Sequence, residues 1–109
     1  MIKRGNVVIL NLGGNVGKPR PALVIQNNIL NDILNTTIIL PFSSDLQDVD
    51  TFRFIILATT ANGLQINSQL MIDKVSQIPK DRVQRVIGKI TKKQMDEIEV
   101  RLLAVLGIG

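Results

Sequence analysis

The chain has 109 residues, no cysteine, no histidine and a formal charge of +4. Those absences exclude a disulfide scaffold, thiolate or imidazole metal sites, a Ser-His-Asp triad and ribonuclease chemistry built on paired histidines. The 45% hydrophobic content, with three phenylalanines and no tyrosine or tryptophan, predicts one globular domain over residues 1–109 with an aliphatic core and few rings for stacking on bases.

The mild basic bias is compatible with a polyanionic partner. No apolar run approaches membrane-spanning length, and Lys3-Arg4 is not followed by a secretory apolar segment, so a cytoplasmic location is expected.

Val7 to Leu12 is apolar and rich in β-branched residues, which predicts a buried strand. Gly13-Gly14-Asn15 breaks it and opens a flexible loop. That loop lacks the Lys-Ser/Thr ending of a phosphate-binding P-loop and leads into a strand instead of a helix. Lys18 and Arg20 remain available to a partner. Arg20 is held between Pro19 and Pro21 at the mouth of a second strand, Ala22 to Gln26, and a stiffly mounted guanidinium fork suits phosphate or carboxylate. A solvated loop arginine is the plainer alternative.

Asn27 to Asn35 is turn-rich, although Ile29, Leu30, Ile33 and Leu34 allow a short helical turn. Thr36 to Leu40 reads as a third strand stopped by Pro41. Phe42-Ser43-Ser44-Asp45 then leaves the sheet, with hydroxyls that fit either a functional loop or plain turn chemistry. Thr51 to Ala58 has strand composition, with Phe52, Phe54 and Ile56 on one face and Arg53 on the other. Asn62-Gly63 marks a turn, and Gln69 to Ile72 another strand. Asp73, at that strand's end, could act as a base, orient an arginine or simply be a paired surface charge.

Pro79-Lys80-Asp81 is expected to open a short helix with Val83, Val86 and Ile87 on its apolar side and Arg82 and Arg85 on its basic side, closed by Gly88. Thr91 and Gln94 have capping-box spacing ahead of a last helix, where Met95, Ile98, Leu102, Val105 and Leu106 form a face for core or dimer packing. Gly107 is its natural terminator. Five or six strands followed by two helices give a mainly β chain with C-terminal helices (α+β), a small barrel closed by the last helix.

Several stretches, taken in order, resemble one family. G-K-P-R-P-A-L-V-I-Q is similar to the R-P-x-L-V-I-Q signature of MazF/PemK/Kid toxins, endoribonucleases of bacterial toxin–antitoxin pairs. K-R-G-N-V-V-I-L resembles that family's opening strand, and T-T-I-I-L-P-F-S-S its T-x-I-V-x-P-I-T strand. G-L-Q-I-N-S-Q-L-M-I-D and the tail I-P-K-D-R-V through I-G-K-I-T-K-K-Q-M-D-E-I match as well. The resemblance implies an SH3-like barrel that dimerises and is neutralised by a cognate antitoxin. It implies cleavage of single-stranded RNA without metal or cofactor, leaving 2′,3′-cyclic phosphate and 5′-hydroxyl ends.

Carried over by position, the family's catalytic arginine falls on Arg20. Its catalytic hydroxyl falls on Ser43, with Ser44 adjacent, and its acid falls on Asp73. Lys18, Gln26, Ser44 and Lys74 are the expected RNA contacts. The chain departs from the family in a short Leu12–Arg20 loop without S-E-Q, in Asn67-Ser68 for D-S, in Lys74-Val75-Ser76 for Q-I-R, and in Met71 where one branch has arginine. Two other readings are a barrel of this type that binds RNA or a partner without cutting, and a CcdB-like gyrase poison. The second depends on a C-terminal aromatic that Leu106-Gly107-Ile108-Gly109 lacks.

Overall fold

The computed structural model describes residues 1–11, 18–48 and 52–109. The loop expected at 13–17 and the expected strand ends at Leu12 and Thr51 lie outside the described residues. β1 (Asn6–Leu10) and β2 (Arg20–Val24) pair antiparallel, with Val7 opposite Leu23 and Leu10 opposite Arg20. Side chains alternate across a strand, so Val7 and Leu23 enter one core while Val8, Leu10, Ala22 and Val24 enter a second. Burial on both faces is why these runs look almost continuously aliphatic in sequence.

The expected helical turn is α1 (Asn28–Ile33), capped by Asn27, whose side chain accepts the Ile29 N–H at 2.8 Å. Its one buried residue is Asn31. Asn31 Oδ1 accepts from Gln26 Nε2 at 2.9 Å and from Thr37 Oγ1 at 2.7 Å, while Nδ2 donates to the Gln26 carbonyl at 3.0 Å. The cluster joins α1 to the strands on either side with its polar atoms satisfied, which is the condition for burying them.

β3 (Thr36–Ser43) is longer than expected and runs straight through Pro41. Ile38 accepts from the Ile25 N–H on the β2 side, so alternation turns the imino side of Pro41 to the opposite edge. On that edge β6 (Ser76–Pro79) pairs with Thr36 to Ile39, and β5 (Ser68–Met71) takes over at Phe42 and Ser43. Pro41 falls in the gap between the two, where a missing donor costs nothing. Phe42 and Ser43 therefore stay in the sheet, and the chain leaves it at Ser44.

β4 (Arg53–Ile56) pairs with β5 and forms one end of the strand order β4-β5-β3-β2-β1-β7. Between β5 and β6, Ile72–Lys74 makes a single 3₁₀ turn.

The segment expected to be a helix at Pro79–Gly88 is instead a 3₁₀ turn (Lys80–Arg82) followed by β7 (Val83–Lys89), paired with β1. Leu10 lies opposite Val83, Ile9 opposite Arg85 and Val8 opposite Val86, with register shifts between Ile9 and Leu10 and again between Val7 and Val8. Each bulge inserts a residue, so apolar positions that would recur every two residues recur at three. That spacing imitated a helix. Valine and isoleucine at 83, 86 and 87 favour the strand they form.

Ile78 of β6 and Val83 of β7 pack on the same core from opposite sides of the β6-β3-β2-β1-β7 run. The sheet therefore curls into the expected small barrel, with its hydrogen-bonded path open between β4 and β7.

α2 (Lys92–Leu106) covers the other core. Its capping box is present: Thr91 Oγ1 accepts the Gln94 N–H and Gln94 Oε1 accepts the Thr91 N–H, both at 3.0 Å. Met95 and Ile98 are buried, Leu102 and Val105 partly so, and Gly107 ends the helix at φ 72°. Arg101 stacks 5.1 Å above the Phe54 ring and donates to the Arg53 carbonyl, docking α2 on β4. Among the described residues no helix is long and apolar enough to cross a membrane.

Candidate active site

Arg20 is the first residue of β2, exposed, with Pro19 before it and Pro21 after it. It borders a cleft of about 210 Å³ lined also by Lys18, Pro21, Phe42, Ser44 and Ser68. Among the described residues neither the Lys18 nor the Arg20 side chain has a hydrogen bond or ion pair, which leaves both cations presented to whatever enters. Phe42 anchors the floor, because its ring is buried in the core beneath.

Ser43 is the last residue of β3 and lies opposite Gln69. Its Oγ accepts the Asp45 N–H at 3.1 Å, which leaves its own proton to donate. β2 and β3 pair with Ala22 opposite Pro41. Continued by two residues, that register would set Arg20 across from Ser43 on one face of the sheet. Ser44, just beyond, lines the cleft itself. Lys18, Arg20, Ser43 and Ser44 are thus gathered at one end of the β2–β3 pair.

The other expected residues lie elsewhere. Asp73 sits in the 3₁₀ turn after β5, where its carboxylate stands 3.8 Å from Arg53 Nε. Among the described residues Arg53 Nε is buried without a hydrogen-bond partner, and this ion pair is its compensation there. The charged group beside Asp73 is thus Arg53, from β4, and not a neighbour of Lys74 in sequence. Lys74 is exposed beside it, on the same turn.

Gln26, expected as an RNA contact, lies away from the cleft's lining. It is buried, and its Nε2 donates to Asn31 Oδ1 and to the Thr36 carbonyl at 3.0 Å, so its amide serves the α1–β3 junction. Gln26 lies two residues past the end of β2, where the chain has turned into the α1–β3 junction.

Two residues near the site were not candidates from the sequence. Gln69 is buried in β5, with its amide holding the main chain of Gln47 in the segment that follows Ser44. Arg85 borders a second cleft of about 400 Å³ with Lys18, Ile9, Ile66 and Ile87, and it was hidden by the helical reading of β7.

Residues 3–106 match the family model of the PemK-like, MazF-like toxin of type II toxin–antitoxin systems. The chain is 35% identical over 97 residues to a Mycolicibacterium smegmatis protein described as "Probable endoribonuclease MazF", covering 89% of this chain and 88% of that one. It is 26% identical over 106 residues to endoribonuclease EndoA of Bacillus subtilis, covering 94% and 91%. Among solved structures, a MazE–MazF crystal structure from Deinococcus radiodurans superposes with a TM-score of 0.83 at 19% identity, covering 99% of this chain and 97% of that one. The fold is thereby the fold of those toxins. With the match spanning β1 to α2, the chain belongs to the PemK-like, MazF-like toxin family of type II toxin–antitoxin systems.

Proposed function

We propose that the chain is an endoribonuclease that cuts single-stranded RNA without a metal, with Arg20 as its central catalytic residue. The supporting observation is the cleft in which an arginine clamped by two prolines meets Lys18 and Ser44. RNA contributes its own nucleophile. The 2′-oxygen attacks the adjacent phosphorus, its proton passes to water, and the 5′-oxygen departs with a proton. A 2′,3′-cyclic phosphate and a 5′-hydroxyl remain.

Negative charge gathers on the non-bridging oxygens during attack, and a preorganised guanidinium is worth most there. Arg20 supplies that charge, and Ser43 and Ser44 donate to the same oxygens. Lys18 holds the neighbouring backbone. In this reading Asp73 neutralises Arg53 and fixes the turn that carries Lys74.

The same reading makes the chain a toxin active in the cytoplasm, dimeric and inhibited by a cognate antitoxin covering the cleft. Exposed Val100, Leu103 and Leu106 on α2, with Ile55 on the edge strand, suit a second copy. The test is incubation of purified protein with long mixed-sequence RNA in EDTA. Discrete fragments carrying 5′-hydroxyl ends are expected; RNA left intact across varied sequences overturns the reading.

A further inference from the structure

The cleft beside Arg20 does not end at Ser44. It shares Lys18, Pro19, Pro21, Ile66 and Ser68 with the larger cleft that reaches Arg85. The sheet explains the continuity. Ile9 of β1 lies opposite Pro21 of β2 on one side and opposite Arg85 of β7 on the other. Residues paired across strands share a face, so Arg85, Ile9 and Pro21 form a row across the sheet, about 10 Å from end to end at ordinary strand spacing. Arg20, one residue before Pro21, meets that row at the strand's end.

The larger cleft is lined mainly by apolar side chains, Ile9, Pro21, Leu64, Ile66 and Ile87, with Gln65 and Ser68 as uncharged polar members. Its cations are Lys18 near the Arg20 end and Arg85 at the other, both exposed. Its shape is fixed by backbone contact. Gly63 and Gly88 interlock there, since a Cβ on Gly63 would meet the Ile87 carbonyl oxygen at 2.2 Å and one on Gly88 the Ala61 carbonyl oxygen at 2.3 Å. A largely apolar trough with positive charge at both ends matches a nucleotide, whose base is flat and whose phosphates are anionic.

Resting on the endoribonuclease reading, we propose that this trough is a second nucleotide subsite. A nucleotide flanking the cleaved linkage lays its base against Ile66 and Ile87, and Arg85 holds its outer phosphate. The subsite makes recognition extend past the scissile step and adds one counterion-releasing contact to RNA binding.

The test uses the full chain and RNA oligonucleotides spanning its mapped cut, made uncleavable by a single 2′-deoxy nucleotide and lengthened one nucleotide at a time. Wild type is expected to gain affinity at the length that first fills the trough. Arg85→Ala and Arg85→Gln should lose that step, binding the longer RNA about tenfold more weakly, the low end for one lost charged contact. Their salt slope should be shallower by about 0.7, the single-strand value per phosphate contact. Arg85→Lys should keep the slope, and Lys93→Ala, an equal charge change on α2, should leave both measures in place.

If the Arg85 variants match wild type at every length while wild type binds and cuts RNA, the subsite is refuted and the endoribonuclease reading stands. If they lose affinity only for an acidic antitoxin peptide, the trough is a protein-docking groove and the inference fails. If wild type neither binds nor cuts RNA, both fall together.

Discussion

Gln69 holds the main chain of Gln47 on both its donor and its acceptor side. Its Oε1 accepts the Gln47 N–H at 2.9 Å, and its Nε2 donates to the Gln47 carbonyl. A buried side-chain amide thus takes the place of a strand neighbour for a segment that has left the sheet. Because Ser44 lies between Ser43, paired with Gln69, and Gln47, gripped by it, Gln69 is a positioning residue for the cleft's hydroxyls.

Gln69→Ala is expected to slow single-turnover RNA cleavage about tenfold, the lower range for a misplaced donor. The stability cost is expected to be about 1–2 kcal/mol, since the freed Gln47 groups can reach water. Rate and thermal midpoint measured on the same preparation separate the two effects, and a rate that falls only in proportion to unfolding would contradict the positioning role.

Asn31 is a sharper case for stability. Asn31→Ala leaves one Gln26 side-chain N–H and the Thr37 hydroxyl without their partner in the interior, at a cost of about 3 kcal/mol. Asn31→Asp should also destabilise, because its side-chain nitrogen donates to the Gln26 carbonyl and to Asn28 Oδ1. Urea unfolding of both variants checks this, and a neutral Asn31→Asp would mean the cluster is wired differently.

Gly88→Ala has no room. With the Ala61 oxygen 2.3 Å from the added Cβ, β7 or the 61–63 turn must move, at about 3 kcal/mol. The thermal midpoint should fall clearly, whereas Gly5→Ala meets only the flexible end of Met95 at 3.8 Å, though its φ of 93° adds backbone strain.

Thr91→Ala removes the N-cap of α2 and should cost about 1 kcal/mol. Hydrogen exchange localised to the first turn of α2 would report it, and unchanged exchange there would show the cap to be idle.

The sequence made some of this architecture readable and concealed the rest for identifiable reasons. Thr91, Gln94 and Gly107 announce α2 because caps act through neighbouring residues. β7 was hidden because two bulges gave a strand a helical spacing. Pro41 looked like a stop because only the three-dimensional hand-over from β6 to β5 shows where its missing donor points. The place of Arg20 at the mouth of β2 was legible from the prolines on either side of it. Gln69, Arg85 and the burial of Gln26 depend on partners far along the chain or on which way a strand turns, and local pattern holds neither.

Arg20 is the centre of the proposed chemistry. The most direct measurement is the single-turnover rate of wild type and Arg20→Ala on one mapped RNA, in EDTA, with both proteins shown to melt alike. A fall of about a hundredfold to a thousandfold, the range for one preorganised charge-stabilising donor, is the predicted result. Equal rates would contradict the account and place the chemistry at some other residue.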